Sequence, residues 1–311
     1  MYTNNLFTER EIEELECLYL DEFHHFLLFA KRRILNGLNT KETIREDWEN
    51  QWDPGAGREK RSEFDIGAER IIYAFFNTQG FGIPNSAPVG SDMFFETEDA
   101  LIHIDMKTVQ TRNIGDYTTN IFVGQNQNSY SSDYPVNAPG QGTVMRSYSG
   151  NLPTEYNVNE VRKPCLTYFL TILYEELPVS PKFKVLNINI LCMPNGRLAN
   201  HYGSRVFRAG KNPDKVRFNF SEVADFELLD SPRPKRIRVA YFDESIIVLV
   251  YIYISCFVKL LSLYCNDFSQ MFVALRHHFI FGKLVGDQSP NSTMSAYIFV
   301  IYYSIFEKHF Q

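Results

Sequence analysis

The feature that most limits the fold of this chain is a strand, a polar turn and a second strand packed into residues 88–109. Pro88-Val89-Gly90-Ser91-Asp92-Met93-Phe94-Phe95 is a short strand-like run, and Glu96-Thr97-Glu98-Asp99 is a polar turn. Ala100-Leu101-Ile102-His103-Ile104-Asp105-Met106-Lys107-Thr108-Val109 is a second, apolar strand, so the spacing predicts a hairpin. Two further apolar runs of strand length lie at 165–174 and 184–193. The first is ambiguous between strand and helix, as short apolar runs are.

Helices precede the hairpin. Thr8-Glu9-Arg10-Glu11 reads as a capping box, in which the hydroxyl serves an orphan N–H and the glutamate reaches back. Glu9, Glu11, Glu13 and Glu14 suit the positive end of a helix dipole, and Lys31, Arg32 and Arg33 suit its negative end. Leu18, Tyr19, Phe23, Phe26, Leu27 and Phe29 supply an apolar side, and Gly37 is read as the stop, giving one helix over 8–36. A loop follows around Asp53-Pro54-Gly55. A second helix is read over 62–77, with Ser62 as cap and Phe64, Ala68, Ile71, Ile72 and Phe75 on one side. Residues 113–160, rich in Asn, Gln, Ser, Tyr and Gly, are read as long loops.

Composition narrows the class. With 44% hydrophobic residues, the 311-residue chain can bury a sizeable core. Its formal net charge of -6 argues against a general polyanion-coating protein, though not against a local basic groove. Between 195 and 240 the basic residues outnumber the acidic ones. Cys17, Cys165, Cys192, Cys256 and Cys265 are scattered with no CxxC pair, which disfavours a zinc ribbon or a disulfide framework. An intracellular, cytoplasmic protein without signal or transit peptide is the expectation. Charge density falls from about 25% to about 11% after residue 245. The apolar segment 246–311 has three readings: native fold, a membrane span over 246–264 interrupted by Lys259, or out-of-frame sequence from AT-rich DNA.

The hairpin also carries chemistry. Strand residues i and i+2 share a face, so Asp105 and Lys107 lie about 6–7 Å apart along one face. Pairing through the Glu96–Asp99 turn lets Asp92 approach Asp105. Two converging carboxylates make a hard-oxygen site suited to Mg2+, which polarises phosphoryl oxygens and lowers the pKa of water. Lys107 can orient the water or stabilise charge developing on a phosphate. Burying such charges among Leu101, Ile102 and Ile104 is costly without a purpose. His103 is read as a packing or surface histidine, and the pairs His24-His25 and His277-His278 are assigned no metal.

This arrangement resembles the PD-(D/E)xK nuclease superfamily, and within it the type II restriction endonucleases. Val89-Gly90-Ser91-Asp92 matches the first acidic element and Ile104-Asp105-Met106-Lys107 the second. Glu69 stands where the family often carries a helical glutamate, although it reads equally as a solvated helix acid. Ser91 precedes Asp92 where the pattern has proline, and the second acid is Asp rather than the commoner Glu. The resemblance covers residues 60–195 at most. It implies an α/β fold, with a mixed central β-sheet flanked by helices. It also implies Mg2+-dependent hydrolysis of phosphodiester bonds in double-stranded DNA, a homodimer, and a cognate DNA methyltransferase in the same restriction-modification system. The residues implied are Asp92 and Asp105 on the metal, Lys107 on the water, and Glu69 in support.

Other segments suit a DNA reader. Gln125, Asn126, Gln127 and Asn128 offer amides that pair bidentately with adenine, or else form an ordinary polar loop. Arg205, Arg208 and Lys211 suit phosphate contacts or guanine readout, or else a solvated basic loop. The expected organisation is a nuclease domain over 1–245, with a helical part at 8–77, a catalytic core at 62–195 and a basic DNA-contacting part at 195–240. Two other functions stay open. One is a repair or recombination nuclease of the same superfamily; the other is a non-enzymatic protein anchored to a membrane by residues 246–264.

Overall fold

The computed structural model describes residues 7–40, 63–77, 83–84, 91–138, 140–176, 183–210, 215–230 and 233–243. The proposed span at 246–264, the rest of the apolar segment, Cys256 and Cys265 lie outside the described residues. No helix among the described residues is long and apolar enough to cross a membrane.

The first helix, α1, runs Glu9–Thr40. Its start is the predicted capping box: Glu11 N–H donates to Thr8 Oγ1 at 3.2 Å, and Thr8 N–H donates to Glu11 Oε2 at 2.7 Å. Such a cap is worth about 1 kcal/mol. Ile12, Leu20, Phe23, Leu27, Ile34 and Leu38 form its buried stripe at helical spacing. Leu18 and Phe29, counted on the apolar side from sequence, instead face outward at 50% and 81% exposure. Gly37 does not end the helix. A Cβ there would stand 3.2 Å from Ile71 Cγ2, so the glycine permits close approach of the second helix, α2, Glu63–Asn77. Phe64, Ala68, Ile72 and Phe76 recur every four residues as the buried face of α2.

The central sheet is mixed. Its strands are β1 (Ile83–Pro84), β2 (Met93–Glu96) and β3 (Leu101–Gln110). After β4 (Ile121–Phe122), β5 (Ser131–Ala138), β6 (Gly142–Ser149) and β7 (Glu155–Val158) come β8 (Val161–Glu176) and β9 (Phe183–Met193). Then follow β10 (Phe207–Ala209), β11 (Val216–Phe218) and β12 (Ile237–Phe242). The order across the sheet is β1-β2-β3-β8-β9-β12, with β7 also pairing β8. Strand β3 runs antiparallel to β2 and parallel to β8, while β8/β9 and β9/β12 are antiparallel. The run at 165–174 is therefore strand. It is buried along nearly its whole length, so its hydrophobicity carries no alternation.

Residues 113–160 are not simply loops. They hold β4, β7 and the β5–β6 hairpin, in which Tyr134 and Val136 alternate inward while Ser131, Asp133 and Asn137 face out with Pro135. Its turn carries Gly140 and Gly142 at φ 75 and 72, a left-handed backbone that glycine adopts without strain.

A buried ionic cluster ties the two ends of the described fold together. Arg236, 1% exposed, lies 3.1 Å from Glu13 Oε1 and 2.9 Å from Glu16 Oε2, both on α1. Glu13 also accepts N–H bonds from Glu227 and Leu228. Glu16 accepts one from Asn195 at 2.6 Å. Two buried carboxylates share one guanidinium, and burial pushes Glu16 up to about 7 despite Arg236. The native chain therefore binds a proton at Glu16 between about pH 4.5 and 7 that the unfolded chain releases. This contribution favours folding at low pH and is lost as pH rises toward 7, after which it is level. Urea unfolding from pH 5 to 8 will show the wild type losing stability relative to Glu16→Gln up to about pH 7. Parallel curves would remove Glu16 as the titrating group.

Candidate active site

The β2–β3 register pairs Met93 with Ile104, and continuing it by one residue sets Asp92 opposite Asp105. The side chain of Asp92 then crosses the strands: Met106 N–H donates to Asp92 Oδ2 at 2.7 Å. Asp105, Lys107 and His103 share one side of β3 by strand alternation. Lys107 pairs with Asp105, and its ammonium lies 5.7 Å from the ring centroids of Phe122 and Phe169. These rings restrict the ammonium and hold it by cation–π attraction.

Asp105 is 3% exposed. Burial pushes its carboxyl up to about 7; Lys107 opposes that, while the charges of Asp92 and Glu69 add to it. The three carboxylates thus lie in one electrostatic neighbourhood with a single lysine in their midst. Asp105 Oδ2 is buried, and the group that meets it is the Lys107 ammonium. A carboxylate buried this deeply is costly to ionise, and a divalent cation brought against the Asp92 and Asp105 oxygens would offset that cost. Asp92 and Asp105 are the residues able to hold such an ion, and all-oxygen donors suit Mg2+. Among the described residues no group of three or more His, Cys, Asp or Glu converges as a ready metal cluster.

A cavity of about 300 Å³ opens beside Lys107, lined also by Asp65, Glu69, Thr108, Asp116, Phe122 and Arg217. Glu69 reaches it from α2, and Arg217 meets Asp116 at 3.0 Å on its wall. Asp65 accepts a hydrogen bond from Thr108 Oγ1, which pins α2 to β3. Asp65 is four residues before Glu69, so the pair shares one helix face. That spacing is legible in the sequence.

His103 is buried; Nδ1 meets Ser91 Oγ at 2.9 Å and Nε2 meets Tyr156 Oη at 3.2 Å. Burial lowers its pKa to about 3, so it is a neutral packing residue that anchors Ser91, next to Asp92.

The candidate DNA-reading amides divide three ways. Gln125 and Asn126 are exposed. Asn128 is fully buried and spends its amide on Gly124 O and Tyr148 Oη, so it turns away from any groove. Gln127 enters the candidate site: its Nε2 donates to Asp105 Oδ1 at 2.6 Å, and its Oε1 accepts from Lys107 Nζ at 3.2 Å. The basic stretch is largely engaged internally. Arg205 forks onto Glu227, Lys235 meets Asp225, Arg236 serves α1, and Arg238 reaches Asp21 at 2.9 Å. Several of those acids lie outside 195–240, which is why a local count overstated the field. Arg208 stands exposed on β10, and Lys211 lies outside the described residues.

Comparison with known proteins bears on the family and the fold. Residues 8–178 match the family of the type II restriction enzyme MwoI, N-terminal domain, and residues 185–242 match that of its central domain. No curated protein matches the sequence. Among solved structures, the restriction endonuclease BglI bound to its DNA recognition sequence is similar, with a TM-score of 0.58 at 16% identity. That match covers 74% of this chain and 90% of BglI. Tetrameric SfiI bound to cognate DNA gives a TM-score of 0.52 at 14% identity, covering 70% of this chain and 81% of SfiI. Both share the fold, a mixed sheet with an N-terminal helix.

Proposed function

The chain belongs to the family of the type II restriction enzyme MwoI, and from that premise we propose that it hydrolyses phosphodiester bonds in double-stranded DNA at a specific sequence, using the site on β2 and β3. The observation that carries this reading is the buried Asp105 carboxylate, paired with Lys107 on one strand face and set across from Asp92.

Asp92 and Asp105 would hold Mg2+, which, when bound, polarises the phosphate and lowers the pKa of water. Lys107, held between two aromatic rings, orients the attacking water and stabilises negative charge on the phosphate oxygens through Nζ. Glu69 supports from the cavity wall. Water adds to phosphorus as the 3′-oxygen leaves, giving 5′-phosphate and 3′-hydroxyl ends. Gln125, Asn126 and Arg208 are the exposed candidates for DNA contact, with Lys211 beyond the described residues. Cutting both strands calls for two sites, so the working unit is a homodimer. A cognate methyltransferase protects the host DNA, and the enzyme acts in the cytoplasm. The nuclease unit is residues 1–245.

Plasmid DNA incubated with the protein and Mg2+ will give discrete fragments, and sequencing their ends will return one recurring site. The chain ended after Ser245 will give the same fragments. Structure-selective nicking without a common sequence would favour a repair role instead. No cleavage with any divalent ion would overturn the reading.

A further inference from the structure

We infer that Gln127 is a positioning residue for this site: its side-chain amide bridges Asp105 and Lys107 and fixes the orientation in which the Asp105 carboxylate is offered to a divalent cation. This rests on the nuclease reading above and adds to it a residue that neither acidic element contains.

The amide has one orientation available. Gly124 N–H donates to Gln127 Oε1 at 2.7 Å, and Lys107 Nζ approaches the same oxygen at 3.2 Å. Both are donors, so that atom must be the carbonyl oxygen. Nε2 is thereby aimed at Asp105 Oδ1, 2.6 Å away. One carboxylate oxygen is thus met by the Gln127 amide and the other by the Lys107 ammonium, which itself touches Gln127 Oε1. A carboxylate torsion is broad and nearly two-fold when unconstrained. Gln127 removes that freedom.

The amide is itself held by the chain. Gln127 closes a single 3-10 turn, Gln125–Gln127, onto Gly124. The next three residues are clamped between two glycines. A Cβ at Gly150 would stand 2.5 Å from Asn128 O, and one at Gly196 would stand 2.2 Å from Ser129 O. Asn128 is further tied to Tyr148 at 2.8 Å, and Ser129 Oγ accepts Gly196 N–H at 3.0 Å. Gln127 therefore projects from a rigid base, as a residue that orients a metal-binding carboxylate needs to. Its neighbours Gln125 and Asn126 are exposed on the same turn, so the segment that faces solvent also sets the geometry of Asp105.

The test uses the full chain and Mn2+ alone, followed by electron paramagnetic resonance, with Gln127→Met and Gln127→Asn. Methionine keeps the length without hydrogen bonds; asparagine keeps the amide one methylene too short to reach Gly124 and Asp105 together. Losing an outer-shell partner weakens metal affinity about 10–100-fold, and both variants will show a shift of that order. The half-saturating Mg2+ for plasmid cleavage will rise by the same factor, with the maximal rate regained at high Mg2+. The asparagine variant carries the test if methionine impairs folding. Wild-type Mn2+ affinity in both variants, with or without loss of plasmid binding, would overturn the inference and return Gln127 to base reading. If the wild type neither binds Mn2+ nor cuts DNA, it is the nuclease reading that fails.

Discussion

Asp105→Ala or Lys107→Ala will lower plasmid cleavage in Mg2+ by about 1000-fold or more while leaving the chain folded. Asp105 is one of the two carboxylates able to hold the ion, and Lys107 is the cation beside it on the same strand face. Their effects will not add, because each residue is useful only while the other is in place; the double variant will be about as slow as either single one. Stability will move the other way for Asp105. Its carboxyl is raised to about 7 chiefly because burial penalises the charge, so the ion-free fold carries that penalty at neutral pH. Asp105→Asn will therefore raise the ion-free melting midpoint at pH 8 while abolishing cleavage, as happens where a site trades stability for activity. Lys107 is partly exposed, and its loss leaves Asp105 able to take up a proton. Cleavage retained by both alanine variants would remove this hairpin as the active site.

The parts legible in the sequence were those written in short-range spacing. Thr8 and Glu11 are three residues apart, and the box they predict is formed. Asp92, the Glu96–Asp99 turn and Asp105 lie within one hairpin, so pairing followed from the strand period. The rest depended on residues far apart in the chain. Gln127 lies twenty residues beyond Lys107, and its role requires β4 and the turn after it to fold back over β3. The β5–β6 hairpin was hidden because only one face of it is apolar, and its outward face carries the Ser and Asn that resemble loop composition. Gly37 read as a helix stop, yet its missing side chain serves the approach of Ile71 from another helix. Arg205 reads from sequence as a DNA contact or a solvated cation, whereas in the fold both its terminal nitrogens donate to Glu227.

The same long-range pairing sets the largest stability effect. Arg236→Met will destabilise the protein by about 3–5 kcal/mol, because it strands buried carboxylates whose only cation it was. Glu13 and Glu16 are both fully buried, and among the described ion pairs Arg236 is the cation that meets them. The guanidinium is also stacked 4.2 Å from the Phe226 ring centroid and 4.7 Å from that of Tyr202, so its packing is lost with its charge. For a chain of this size the melting midpoint will fall by roughly 10 °C. The deficit is electrostatic in origin if neutralising the partners repairs it. Arg236→Met combined with Glu13→Gln and Glu16→Gln removes both charges and keeps an acceptor oxygen for the N–H of Asn195 and for one of the N–H groups of Glu227 and Leu228. That triple variant will recover most of the lost midpoint, a coupling far larger than independent sites give. A triple variant no more stable than Arg236→Met would show instead that the guanidinium acts there through packing alone.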